Sequence, residues 1–416
     1  MNNYIYKCTN CNRECNAEGI EGNFVYLCPS CGKAEKNKPL EGVFIIEYDY
    51  EELRKKIKRE DFLKLPAGKF WLYPWLFPLD EKKLNFNVLK RLALSEDQYL
   101  EYDYNKSKIF LMDETRNPTF SYKDRASGLV ALKALELGIT EIAAASTGNA
   151  GSSLAGISAR LGLTSHIFVP KNIPDAKRIQ IQSFGANIYI VDGDYDNAFD
   201  LCLEISEKKK WYNRNTAYNP LTIEGKKSAA FDIFISTQGK MPDNIFIPVG
   251  DGVIISGIYK GLTELLELGW IEKLPKLIAV QAKGSDAIVR YVKSNSFIYE
   301  SASTIADSIS AGAPRNLYMA AKAVKQTNGI AVAVSDNEIL NAQKDIANYF
   351  GILSEPSSAS VFAAYKNLIK EEKIKAGDKN LLLITGNGLK DISALEIWND
   401  KPLAKDYNEW TRLLLK

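Results

Sequence analysis

Histidine is nearly missing from this chain. His166 is the single one among 416 residues, which excludes a His-rich metal centre. An excess of one charge sign is missing as well. Fifty-three Lys and Arg stand against 51 Asp and Glu, a formal net charge of +2, so no cationic field points to nucleic acid and no acidic excess points the other way. No uninterrupted apolar run is long enough to span a bilayer. The opening Met1-Asn2-Asn3-Tyr4 has neither the basic nor the apolar region of a secretory signal. Cysteine is scarce past the head, where Cys202 stands alone; the other five fall in the first 31 residues, a pattern that fits a metal site in a reducing compartment better than disulfides stapling a whole fold. What remains is ordinary globular usage, 46% hydrophobic and 25% charged, which excludes a disordered or fibrous chain. A cytoplasmic enzyme acting on a small molecule, with no membrane or nucleic-acid partner, is the expectation.

The head reads Cys8-x2-Cys11, sixteen intervening residues, then Cys28-x2-Cys31. Two such knuckles supply four thiolates in a tetrahedron, which suits structural zinc; free thiols or two disulfides are the other readings, and Cys15 is one cysteine too many. A charged connector, Lys33 to Lys38, leads to a short apolar strand pattern at Val43–Ile46, a solvated charge run from Glu51 to Asp61, and an aromatic cluster from Phe70 to Phe77 read as packing. From Glu141 onward short apolar runs (Ile142–Ala145, Ile167–Val169, Ile188–Val191, Ile245–Ile247, Leu277–Val280, Leu381–Ile384) alternate with helical segments. That alternation predicts a parallel α/β architecture, in which ligands sit at the carboxyl ends of the strands.

Four segments read as following strands share a theme: Asn117 to Arg125 and, after the runs just named, Ser146 to Ala150, Pro248 to Gly252 and Thr385 to Asp391. A glycine-bearing loop at a helix start offers free N–H groups and the positive end of the helix dipole, which suits phosphate or carboxylate. Two such loops, following Ala145 and Val249, could hold two anions.

Ser121-Tyr122-Lys123-Asp124-Arg125, Ser146-Thr147-Gly148-Asn149-Ala150, the Pro248–Gly252 loop and Thr385-Gly386-Asn387-Gly388-Leu389-Lys390-Asp391 resemble the signatures of the threonine synthase family, pyridoxal-phosphate enzymes of the tryptophan-synthase-β type fold. Thr304 to Ser310, Pro314-Arg315-Asn316, Glu355 to Ser360, Tyr48-Asp49-Tyr50 and the cysteine-rich head are similar too. The resemblance implies a two-lobed fold type II α/β protein with parallel sheets and a zinc-ribbon-like head. It implies a head at 1–38, a larger lobe at 39–132 and 236–416 carrying the cofactor phosphate loop, and a smaller mobile lobe at 133–235 carrying the Asn149 loop. Lys123 is implied as the catalytic amine that bonds to the cofactor aldehyde, and Asn149 as the partner of its phenolic oxygen. Gly250, Asp251, Gly252, Val253 and Ile254 would cradle the phosphate, and Thr385 would face the ring nitrogen. Ser146, Thr147, Asn149 and Ala150 would take the substrate carboxylate, and Cys8, Cys11, Cys28 and Cys31 one zinc. The implied reaction turns O-phosphohomoserine and water into threonine and phosphate; homodimers are common in this superfamily.

This sequence departs from the family in four places. Phe120 stands where a glycine is usual, with Tyr122 for phenylalanine. Thr222, in Asn219 to Gly225, replaces an arginine expected to meet the substrate phosphate, for which Lys226, Lys227 or Arg178 are candidate substitutes. Leu94 to Gln98 occupies the place of a Gly-Glu-Gly-x-Thr-Pro loop, and Asn387 that of a histidine. The runner-up is therefore a β-eliminating or β-replacing relative acting on serine, threonine, O-phosphoserine or O-acetylserine. A third class, a nucleic-acid-binding zinc module with a dead α/β body, is disfavoured by the neutral charge and by the retained Lys123.

Overall fold

The computed structural model describes residues 4–83, 85–105, 107–146, 148–375, 377–399, 401–402 and 404–415. Thirteen strands are described: β1 Tyr4–Cys8, β2 Glu14–Asn16, β3 Phe44–Tyr48, β4 Tyr99–Tyr104, β5 Ser107–Asp113, β6 Glu141–Ala145, β7 Thr164–Pro170, β8 Asn187–Val191, β9 Tyr212–Asn213, β10 Asn244–Pro248, β11 Lys276–Ala282, β12 Ile330–Val334 and β13 Asn380–Ile384. They form three sheets, ordered β2-β1-β3, β12-β11-β10-β13-β5-β4 and β8-β7-β6-β9. The four-stranded sheet is wholly parallel. The six-stranded sheet is parallel apart from its edge strand β4, which forms an antiparallel hairpin with β5. Helices on both faces bury these strands, so the central ones read as unbroken apolar runs: every residue of β10 and of β13 is buried.

The chain starts the large sheet, leaves to build the small one, and returns. The two crossings are made by the helices Lys123–Glu136 and Leu221–Ser236, which pack against each other beneath the cleft between the sheets. The Leu221–Ser236 helix is buried from Leu221 to Ile235, which suits a helix enclosed by neighbours on all sides. Loops after β5, β10 and β13 of one sheet and after β6 of the other therefore open into that cleft.

The hairpin β4–β5 carries no strand in the sequence reading; β4 mixes aromatic and acidic residues at the sheet edge, where only one face needs to be apolar. The head boundary also differs. β3 lies beyond residue 38 yet pairs along its whole length with β1, so the head sheet runs to Tyr48. Nor does the head stand apart. Tyr4, Tyr6, Cys8, Phe44 and Ile46 join the main hydrophobic core. Tyr4 and Tyr6 donate to Glu21 Oε1 (2.7 and 2.9 Å), and Glu21 is held by the fully buried Lys133 of the body (3.2 Å). The boundaries expected at 132 and 235 fall inside the two crossing helices. Phe70, Tyr73 and Phe77 are buried around Phe231, as a packing cluster. No helix among the described residues is long and apolar enough to cross a membrane.

Candidate active site

Lys123 opens its helix at the end of the segment that follows β5. That segment is pinned to the turn after β13: Tyr122 N donates to Thr385 O (2.8 Å) and Asn387 N to Phe120 O (3.0 Å). Phe120 takes a left-handed φ of +65°, with its ring half exposed. This explains the glycine usual at that place, because a side chain in this conformation costs about 1–2 kcal/mol. Asp124 fixes the loop from the other side, accepting from Thr119 N (2.7 Å). The neighbouring Arg125 is fully buried and donates to Glu114, Asp232, Ser228 and Gln98, so it is a structural keystone of the motif.

The Lys123 side chain lines a cavity of about 300 Å³, together with Ser146, Asn149, Ala150, Gly250 and Asp251. Among the described residues it makes no ion pair. Burial pushes its amine pKa down, and the nearby Arg214 pushes the same way, against Asp251 and Glu355.

Ser146 and Asn149 lie between β6 and the helix Asn149–Leu161. Ser146 Oγ accepts from Gly148 N (3.0 Å). Asn149 Nδ2 donates to Ser308 Oγ (3.0 Å) and Glu355 Oε2 (2.6 Å), while its Oδ1 is buried with no partner. Thr147 lies outside the described residues. Small residues let this helix lie close to the Lys123 segment: a Cβ on Gly156 would come within 2.4 Å of Thr119 Cγ2. Lys177, fully buried, covers Gly148 and pairs with Asp307 and with Glu355 (3.2 Å), tying the small sheet's helices to loops of the large one. Lys390 adds a second tie, donating to Thr119 O (2.8 Å), Ser152 Oγ (2.9 Å) and Gln180 Oε1 (2.8 Å).

After β10, Gly250 and Asp251 reach the cavity, while Gly252, Val253 and Ile254 form the start of the helix Val253–Glu267 behind them. Gly252 has φ +85°, and a Cβ there would meet Asn316 O at 2.9 Å and Ala320 Cβ at 2.8 Å, so only glycine fits this turn. Asp251 Oδ1 accepts from Arg315 N (3.1 Å). Thr385 does not line the cavity; its hydroxyl contacts Ser358 Oγ (3.0 Å), one layer behind Lys123.

The candidate replacements for the missing arginine are elsewhere. Thr222 is buried and its hydroxyl donates to Asn219 O (2.8 Å). Lys227 is held by Glu224 (2.6 Å) and Glu264 (2.9 Å), and Arg178 by Asp175 (2.8 Å). Neither they nor Lys226 line the cavity. Sequence reasoning assigned no role to Lys177, Asp307, Arg214 or Glu355; Asp307 and Glu355 lay in quoted matches, whereas Lys177 and Arg214 are lone cations without a local pattern. His166 is structural, its ring stacked on Trp211 at 3.6 Å.

In the head, the sulfurs of Cys8, Cys11, Cys28 and Cys31 lie within 4.8 Å of one another, and Cys15 stays outside the group. Cys8 and Cys31 sulfurs are 3.4 Å apart and Cys11 and Cys28 sulfurs 3.7 Å, far beyond a disulfide bond.

Residues 95–386 match the family described as pyridoxal-phosphate dependent enzyme. Threonine synthase of Methanocaldococcus jannaschii is 35% identical over 363 residues, 86% of this chain and 89% of that protein. Threonine synthase of Methanosarcina acetivorans is 33% identical over 365 residues, 87% and 89% of the two chains. Among solved structures, the processed threonine deaminase isoform 2 of Solanum lycopersicum shares the fold at a TM-score of 0.60 and 20% identity, covering 88% of this chain and 96% of that one. A pyridoxal 5'-phosphate-dependent aspartate racemase does so at a TM-score of 0.64 and 17% identity, covering 77% and 99%.

Proposed function

This chain belongs to the pyridoxal-phosphate dependent enzymes, of fold type II, and we propose that it acts as a threonine synthase, a carbon–oxygen lyase that converts O-phosphohomoserine and water into threonine and phosphate. The observation that carries this reading is the convergence of Lys123, Asn149 and Gly250, far apart in sequence, on one cavity.

The residues present fit the cofactor. Its aldehyde needs an amine without a competing partner, which Lys123 offers. Its phosphate needs N–H groups and a close backbone approach, which the Gly250–Ile254 turn offers at a helix start. Its phenolic hydroxyl needs a hydrogen-bond acceptor, and Asn149 Oδ1 is a buried acceptor with no partner among the described residues. Once bound, the cofactor draws electrons from the α-carbon of an amino acid. Lys123 Nζ is then the proton carrier, taking the α-proton and next a β-proton; burial and Arg214 push its pKa down, which favours the neutral amine that this work needs. Backbone N–H groups of Asn149 and Ala150 with the Ser146 hydroxyl take the substrate carboxylate, and Thr147 belongs to the same loop. Thr385, expected to face the ring nitrogen, stands outside the cavity lining with its hydroxyl on Ser358 Oγ, and is given no part in holding the ring. Phosphate leaves from the γ-carbon and water adds at the β-carbon. The smaller lobe, built on the β8-β7-β6-β9 sheet, closes over the substrate and keeps water out until that step, with Lys177 and Lys390 as contacts between lobes.

The head, on this reading, holds one structural zinc through Cys8, Cys11, Cys28 and Cys31. A tetrahedron with Zn–S bonds of about 2.3 Å sets sulfurs about 3.8 Å apart, close to the spacing already present. Such thiols stay reduced in a cytoplasm.

Thr222 favours a second reading, since no arginine stands there for a substrate phosphate. Phosphate release from O-phosphohomoserine, measured beside turnover of serine, threonine, O-phosphoserine and O-acetylserine, separates the two. Inert O-phosphohomoserine together with consumption of another substrate assigns the chain to the β-eliminating or β-replacing enzymes.

A further inference from the structure

Lys226 is a fully buried lysine on the Leu221–Ser236 helix, and its Nζ has no hydrogen-bond partner among the described residues. Its neighbour Lys227 shows what a buried lysine in this helix normally does: it pairs with Glu224 and Glu264. Lys226 turns the other way. The charges that act on it are Lys123, Arg214 and Asp251, and two of these line the cavity. Gly257 lies one turn after the start of the Val253–Glu267 helix and packs directly on Lys226; a Cβ there would be 2.7 Å from Lys226 Cβ. One helical turn is 5.4 Å, within the reach of an extended lysine side chain, so the amine is within range of the helix start that the Gly250–Gly252 turn creates.

Arg214 repeats the anomaly. It is fully buried, donates to Ser127 Oγ (3.3 Å) and to Thr216 Oγ1 (2.9 Å), and leaves Nη2 unpartnered, with no ion pair among the described residues. Thr216 itself lines the cavity. Lys123, Lys226 and Arg214 therefore stand close together with no ion pair among the described residues: Asp251, which already accepts from Arg315 N, acts on Lys123 and Lys226, Glu355 on Lys123, and Asp124 on Arg214. Buried amines without a partner are strongly unfavourable, and this cluster calls for a doubly charged anion.

We propose that Lys226, seconded by Arg214, grips the phosphate of the bound cofactor from behind the glycine turn, adding positive charge to a cradle that otherwise offers N–H groups beside the Asp251 carboxylate. The ligand class is a phosphate monoester dianion. The cofactor's phosphate is preferred over a substrate's because Lys226 abuts the helix that carries the turn. The proposal rests on the cofactor assignment and not on the identity of the substrate.

The test uses Lys226→Met and Lys226→Gln, with the holoenzyme resolved of its cofactor and titrated with pyridoxal phosphate and, separately, with pyridoxal, which lacks the phosphate. A lost charge-assisted hydrogen bond predicts ~10–100-fold weaker pyridoxal phosphate binding in both variants, with pyridoxal binding unchanged. Cofactor-free Lys226→Met should melt no lower than the cofactor-free parent, since an unpaired buried amine has been removed. Equal weakening for both probes, or undiminished pyridoxal phosphate binding, overturns the proposal. A loss seen only as a raised KM for a phosphorylated substrate also overturns it, by moving the cation to the substrate. A parent protein that binds no pyridoxal phosphate would instead sink the cofactor assignment itself.

Discussion

Arg125→Met should cost this protein about 3–5 kcal/mol of stability at pH 8, the usual result of removing one partner from a buried ionic cluster. The guanidinium is fully buried and reaches Glu114 (Nη2 to Oε1, 2.7 Å), Ser228 (2.9 Å), Gln98 (2.6 Å) and Asp232, and both carboxylates are themselves buried. Two acids are then stranded. Asp232 keeps one bond, from Gly68 N (2.8 Å), and Glu114 keeps one, from Asn117. Burial already pushes the Glu114 carboxyl above its usual range with Arg125 beside it, and removing the cation pushes it further. Its folded pKa then lies above the unfolded value of about 4.3. Protonation therefore favours the folded variant, so the defect is full at pH 8 and shrinks as the pH falls through that raised pKa. Urea unfolding followed by far-UV circular dichroism at pH 8 and pH 5.5 reads both quantities; the defect should be smaller at the lower pH. Adding Glu114→Gln should recover part of the loss at pH 8. A defect below about 1 kcal/mol, or one that ignores pH, would refute the reasoning.

Three other outcomes follow from the same geometry. Lys123→Ala should reduce turnover by at least ~10²–10⁴-fold while the protein stays folded, and borohydride should no longer fix the cofactor to the chain in a mass spectrum. Gly252→Ala should destabilise the protein by about 1–3 kcal/mol and weaken cofactor retention on dialysis, because the turn needs φ +85° and has no room for a Cβ. Elemental analysis of freshly reduced protein should find one zinc per chain; Cys28→Ser should lose it and lower the melting temperature, whereas Cys15→Ser should keep it.

Much of the frame was legible because its signals are local. The apolar runs at Ile142–Ala145, Ile245–Ile247 and Leu381–Ile384 lie inside observed strands that are only one or two residues longer. Lys123, Asn149 and Gly250 were singled out through the resemblance to the threonine synthase family, the loops after the strands being weak signals by themselves, and the structure brings all three to one cavity. The β4–β5 hairpin was not, because an edge strand with Glu101 and Asp103 on one face lacks an apolar run. Phe120 looked like a departure from a glycine position, and its φ of +65° shows that the backbone demand stayed while the residue changed.

By itself the sequence determined the α/β alternation, the four thiols at knuckle spacing, and an amine after a strand beside two glycine turns. Those features depend on neighbours a few residues away, where periodicity and turn chemistry act. Tertiary structure alone decided which charges are paired. Lys226 and Lys227 are adjacent lysines on one buried helix; one faces Glu264 and the other faces Lys123 and Arg214. The reason is physical: helix geometry turns successive side chains about 100° apart, so the partner each one meets is set by elements packed from elsewhere in the chain.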